Sequence, residues 1–116
     1  RAGLDYWQDV DLQIWPSLDV FLEANRTRTM YLVSTKSEQH YASVSYPDDC
    51  MFLFGRETKG LPESLLRSAR EKCIRIPMLE GKRSLNLSNA AAIVVYEYLR
   101  QKGFPGMQIS GPLFGV

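Results

Sequence analysis

The run Cys50-Met51-Phe52-Leu53-Phe54 constrains the fold most. Five apolar residues stand unbroken between Pro47-Asp48-Asp49 on one side and Gly55 on the other. The run is too short for a helix and lacks the polar-apolar alternation of a strand with one wet face. It has the pattern of a parallel strand buried on both faces. Two further stretches read as strands: Thr29-Met30-Tyr31-Leu32-Val33-Ser34-Thr35, with a polar exit, and Cys73-Ile74-Arg75-Ile76-Pro77-Met78, ended by Pro77. Segments of helical spacing lie between and after them. Strands alternating with helices predict an α/β domain with a mainly parallel sheet and flanking helices.

The remaining elements follow from local chemistry. Asp11-Leu12-Gln13-Ile14-Trp15 alternates and predicts a short strand. Ser17 is placed to cap a helix in which Leu18, Phe21 and Leu22 share a face, ending near Asn25. Residues 36–41 read as a loop, and 42–46 as a short extended piece. Pro62 opens a helix running to about Arg70, with Glu63 in its first turn. In the last helix Leu87, Ala90, Ala91, Val94, Val95, Tyr98 and Leu99 recur at helical spacing, and Ile93 and Tyr96 make a second stripe. A helix apolar over so much of its girth predicts burial on two sides, the second against a partner subunit in a homodimer. Gly103 supplies the stop, and 107–116 read as an irregular tail.

The 116 residues suffice for one small domain. No apolar run approaches the roughly 18 residues of a membrane span, and the first residues carry no apolar signal-like stretch. With no initiator Met, the chain reads as beginning inside a longer one. Net charge is +1, but residues 56–83 are locally basic, which suits a phosphate-bearing partner or simply solvated faces. Cys50 and Cys73 have no metal-ligand spacing and fit a reducing cytosol. His40 is the only histidine, which excludes a His-based triad or a multi-histidine metal site within these residues; it is expected on a surface loop.

Three loops follow strands, where ligands bind in open parallel sheets. In Gly55-Arg56-Glu57-Thr58-Lys59-Gly60-Leu61-Pro62, either glycine permits positive φ or close backbone approach, and Glu57 stands between them. A plain strand–turn–helix connection is the bland alternative. The spacing is not that of a Walker loop. At Ile76-Pro77-Met78, a strand ended by Pro leaves backbone groups that could recognise a planar base; core packing is the alternative. Ser84-Leu85-Asn86-Leu87-Ser88-Asn89 crowds four polar side chains at a helix start, more than capping requires.

In this order, these segments resemble the motifs of SpoU-type enzymes of the SPOUT superfamily. Arg1-Ala2-Gly3-Leu4-Asp5-Tyr6-Trp7 and Lys102-Gly103-Phe104-Pro105-Gly106 resemble the branch of tRNA (cytidine/uridine) 2′-O-methyltransferases acting at the wobble nucleotide. The resemblance spans Arg1 to about Gly106. It implies one partial SPOUT domain over 1–116, a trefoil knot, and S-adenosylmethionine as cofactor. By position it implies cofactor contacts at Val33, Gly55, Gly60, Ile76, Met78, Ser84 and Leu85. Glu57 and Asn86 would be the catalytic-site polar residues, orienting cofactor and ribose. tRNA would be the partner, in the cytoplasm and without a metal. The family's first motif, with an Asn and an Arg on an initial strand–helix unit, has no match, so the chain is expected to start after it. Two other readings stay open: an inactive RNA-binding or dimerisation module, and an rRNA 2′-O-methyltransferase.

Overall fold

A computed structural model describes residues 10–56, 58–81 and 85–113. Three parallel strands, β1 (Met30–Val33), β2 (Met51–Phe54) and β3 (Cys73–Ile74), form a sheet in the order β2-β1-β3. The register pairs Tyr31 with Phe52 and Leu32 with both Leu53 and Cys73. Three helices are described, α1 (Leu18–Ala24), α2 (Glu63–Ser68) and α3 (Leu87–Gln101), of which α2 and α3 contribute buried residues to the core and α1 contributes none.

Strand periodicity divides the core into two layers. On one face Tyr31, Ile74 and Val94 of α3 are buried with Tyr46, and Val33, Phe52, Phe54 and Tyr98 pack against them. On the other, Leu32 and Cys73 meet Leu61 and Leu66 of α2, with Leu53 alongside. Ile74 and Val94 are fully buried, each contributing roughly 1.5–3 kcal/mol relative to exposure. Among the described residues, no helix is long and apolar enough to cross a membrane.

The helix ends obey capping chemistry. The Ser17 hydroxyl accepts from the Val20 amide at 3.2 Å, and Asn86 Oδ1 accepts from the Asn89 amide at 2.9 Å. At the end of α3, Gly103 takes φ +82°, its amide reaches Arg100 O, and the Phe104 amide reaches Leu99 O at 2.8 Å. That pair of bonds is a Schellman cap.

Several expectations are corrected. Residues 11–15 form no strand: Leu12 and Ile14 stand 70% and 89% exposed, and no neighbouring strand accepts their alternation. Residues 42–46 are not extended throughout, because His40 Nδ1 accepts from the Ala42 amide and starts a 3₁₀ turn, Tyr41–Ser43. β2 is half-buried rather than buried, since it pairs on one edge only. The third strand stops at Ile74, with one further bridge from Arg75 to His40. Helix α2 ends at Ser68, followed by a 3₁₀ turn at Arg70–Lys72. In α3 the two stripes are unequal: Val94 is fully buried and Ile93 half-buried, while Val95 and Tyr96 are exposed. The described part of the tail, 107–113, holds no helix or strand, and His40 is exposed.

Candidate functional site

The three strands run the same way, so their exits gather at one edge. β1 leaves into Ser34-Thr35-Lys36, β2 into the Gly55 loop, and β3 into Ile76 and Met78. The start of α3 closes the edge, because this helix runs back across the sheet. These segments enclose a cavity of about 320 Å³, within the range of small-molecule sites.

Of the expected cofactor contacts, Val33, Gly55, Gly60, Ile76, Met78 and Leu85 all line this cavity. Glu57 and Ser84 lie outside the described residues. Asn86 is not among the lining residues; its carbonyl oxygen is used as the cap of α3, while Leu85 and Leu87 on either side do line the cavity. Its amide nitrogen, a donor, makes no hydrogen bond among the described residues.

The loop after β2 is held by its own backbone. The Gly60 amide donates to Arg56 O at 2.8 Å, and the two residues bridge. The two glycines serve different needs. Gly60 has φ +71° and open space where a side chain would start, which suits close approach by a ligand. Gly55 lacks positive φ, contrary to one expectation for it. A Cβ there would lie 2.2 Å from the Gly60 carbonyl carbon and 2.3 Å from the Leu61 nitrogen, so its bareness lets the loop fold back on itself.

The first exit is tied to the third strand. The Ser34 amide donates to Ile74 O, the Ser37 hydroxyl to Cys73 O, and Arg75 Nη1 to Thr35 O at 2.9 Å. Ser34, Thr35 and Lys36 line the cavity, as do Arg56, Thr58 and Lys59. Sequence reasoning singled out Val33 alone from the first exit, although a strand followed by hydroxyl-bearing residues gave the same signal as the other two loops.

The lining pairs apolar Phe54, Ile76, Met78, Leu85 and Leu87 with the hydroxyls of Ser34, Thr35 and Thr58. Apolar walls suit the faces of a planar base, and hydroxyls and strand-end backbone suit a sugar. Such a lining fits a nucleoside-bearing cofactor. Among the described residues, no cluster of His, Cys, Asp or Glu could hold a metal ion.

The model of the SpoU rRNA methylase family matches residues 1–96. The tRNA (cytidine(34)-2′-O)-methyltransferase of Escherichia coli K12 is 44% identical over 107 residues, 91% of this chain and 68% of that protein. A solved structure concerned with 2-OH methylation of C/U34 on tRNA superposes with TM-score 0.80 at 38% identity, covering 89% of this chain and 63% of the other. A SpoU methyltransferase from Streptomyces viridochromogenes, solved in complex with AdoMet, superposes with TM-score 0.63 at 26% identity over 77% of this chain and 38% of its own. The chain spans between 62% and 70% of the length of similar curated relatives. A family match over most of the chain, joined to these parallel strand exits and the cavity between them, places the chain in the SpoU rRNA methylase family.

Proposed function

We propose that this chain is the cofactor-binding part of an S-adenosylmethionine-dependent RNA methyltransferase that methylates the ribose 2′-hydroxyl of tRNA at the wobble nucleotide. The observation that carries the reading is the cavity itself, where three loops distant in sequence bring Val33, Gly55, Gly60, Ile76, Met78 and Leu85 together. The relatives' names supply the substrate class.

When bound, S-adenosylmethionine supplies an electrophilic methyl group on sulfur. The chain's own residues bind and orient. Ile76, Met78 and Leu85, which line the cavity, would hold the adenine, and Ser34, Thr35 and Thr58 would offer hydroxyls to the ribose. Glu57 orients the cofactor, and the Asn86 amide nitrogen, left over from capping, donates to the target ribose. A ribose hydroxyl is a poor nucleophile at neutral pH and needs a group to receive its proton. None of these residues is an evident base, so the group that receives this proton is not among them. Two free thiols, Cys50 and half-exposed at that, with buried Cys73, suit a reducing cytoplasm. The exposed Val95 and Tyr96 on α3 support a homodimer formed through that helix. A trefoil knot around the cavity and a single partial domain over 1–116 complete the reading.

The test is transfer of radiolabelled methyl to bulk tRNA by the full-length protein, followed by mapping of the modified nucleotide. Label at the wobble ribose is expected. Transfer to rRNA but not to tRNA, with the two offered separately, would favour the ribosomal reading, and cofactor binding without transfer to either would favour an inactive module. Robust transfer by residues 1–116 alone would move the proton-accepting role into this chain.

A further inference from the structure

Lys36 stands where two clefts meet. It lines the cavity at the strand exits and, with Leu66, also lines a second cleft beside α2 that holds Glu63 and Arg67. Its backbone is fixed. The Lys36 amide donates to the Ser34 hydroxyl at 3.1 Å, and the Ser37 amide donates to Ser34 O at 3.2 Å. Lys36 is thus third in a four-residue turn, tied to β3 by the bond from the Ser34 amide to Ile74 O.

The Lys36 ammonium is held more loosely. Its Nζ lies 3.7 Å from Glu63 Oε1, longer than a hydrogen bond, and both side chains are mostly exposed. The other Glu63 oxygen accepts from Arg67 Nη2 at 2.8 Å. That hydrogen bond first, and the charge of Lys36 after it, hold the Glu63 carboxyl below its usual range, so it stays ionised at neutral pH. A fixed stem with a loosely held charge, on the boundary of a ligand cavity, can change partners.

S-adenosylmethionine brings such a partner, the carboxylate of its amino-acid end. With the adenine on Ile76, Met78 and Leu85 and the ribose on the hydroxyls of Ser34 and Thr35, the next residue along the β1 exit is Lys36. We propose that Lys36 leaves Glu63 to bind the cofactor carboxylate, Glu63 holding the ammonium at the cavity's edge until then. The inference rests on S-adenosylmethionine being the ligand of this cavity, as proposed above. Its consequence is selectivity: the site then distinguishes the cofactor from adenosine compounds that carry no carboxylate.

The sign of the effect is diagnostic. The sulfonium and ammonium outweigh the single carboxylate, so the cofactor is a cation overall. Through the field alone, removing a neighbouring positive charge would raise its affinity. A close contact with the carboxylate reverses that sign.

The experiment is calorimetric titration of the full-length protein with S-adenosylmethionine and with its decarboxylated analogue, which differs by the carboxylate alone. Lys36→Met keeps the apolar stem and removes the charge. It should lower affinity for S-adenosylmethionine about fivefold, the upper figure for an exposed ion pair, and leave affinity for the analogue undiminished. Glu63→Gln removes the competitor and should raise the ratio of the two affinities by about twofold. Thermal melting checks the fold of each variant. An unchanged ratio in Lys36→Met overturns the proposal. So does an equal loss for both ligands, which would mean that Lys36 only shapes the cavity. A ratio that fails to rise in Glu63→Gln overturns the exchange with Glu63. Failure of the parent to bind either compound would instead sink the cofactor reading on which the proposal stands.

Discussion

The two ends of the sheet are built on opposite principles. At the strand exits, loops enclose an open cavity with apolar walls and cations, and backbone bonds such as Gly60 to Arg56 hold the shape. At the strand entrances, side chains lock together. Tyr46 packs edge-on against Tyr31 at 4.9 Å and Phe52 at 5.1 Å, and its hydroxyl donates to Tyr41 O. Gln101 accepts from the Tyr46 amide, donates to Val44 O and donates to Glu97. Lys102 donates to Tyr46 O at 2.6 Å and pairs with Asp48. Helix α3 joins the two ends, its start at the cavity and its end in the clamp. The difference teaches that one end carries stability so that the other can stay open.

The largest expected effect lies at the open end. Gly55→Ala would force a Cβ into the Gly60–Leu61 backbone. It should cost about 1–3 kcal/mol, as other overpacking does, and abolish measurable cofactor binding because the whole loop must shift. Gly60→Ala meets no atom and only the positive φ, so it should cost about 1–2 kcal/mol and keep the loop's path. Chemical denaturation and calorimetric titration of both variants would separate them. Equal behaviour would show that the loop is not closed on itself at Gly55.

At the clamp, Gln101→Ala removes three hydrogen bonds and leaves the Tyr46 amide without its partner. An unpaired buried donor costs about 1–3 kcal/mol; the half-buried site puts the loss near the low end. Urea midpoints should fall while cofactor affinity holds. A matching loss of cofactor affinity would mean that the two ends are coupled through α3 and that the division of labour is false.

The strand exits were legible in the sequence because each apolar run ended in a distinct polar or glycine signal, as at Val33, Gly55 and Pro77. The clamp was not. Glu97 reads as an ordinary charged position between two apolar stripes, yet it is 9% exposed, and what buries it is a loop some fifty residues upstream that no local period announces. The apolar Ile76 and Met78 make β3 look longer in the sequence than it is, because the strand ends at Ile74 and both residues line the cavity instead of pairing in the sheet. The alternation at 11–15 misled for the opposite reason: period two is necessary for a strand but supplies no pairing partner. Gly55 was recognised as special, but whether its bareness served ligand or loop depended on where Gly60 lies in space.

The smallest expected effect concerns acid stability and again belongs to the clamp. Glu97 accepts from Arg100 Nε and Nη2 at 3.0 and 2.9 Å and from Gln101 at 2.8 Å. These hydrogen bonds, Arg100's first, hold its carboxyl below the ordinary 4.5 against the opposing effect of burial. A carboxylate with a depressed folded-state pKa stabilises the fold fully above its unfolded value, and that contribution is lost as pH falls through the folded one. The contribution should therefore be whole above 4.5 and fade below it. Glu38 and Glu63 are depressed as well and fade in the same direction, so acid sensitivity alone would not single out Glu97. Comparing the parent with Glu97→Gln does, because the amide cannot titrate and the other two carboxyls cancel in the difference. The stability gap between the two proteins, read from urea midpoints, should be widest near about pH 6.5 and narrow toward about pH 3.5. A gap independent of pH would mean that Glu97 contributes through packing alone, and the clamp would then owe its hold to Gln101 and the aromatic cluster.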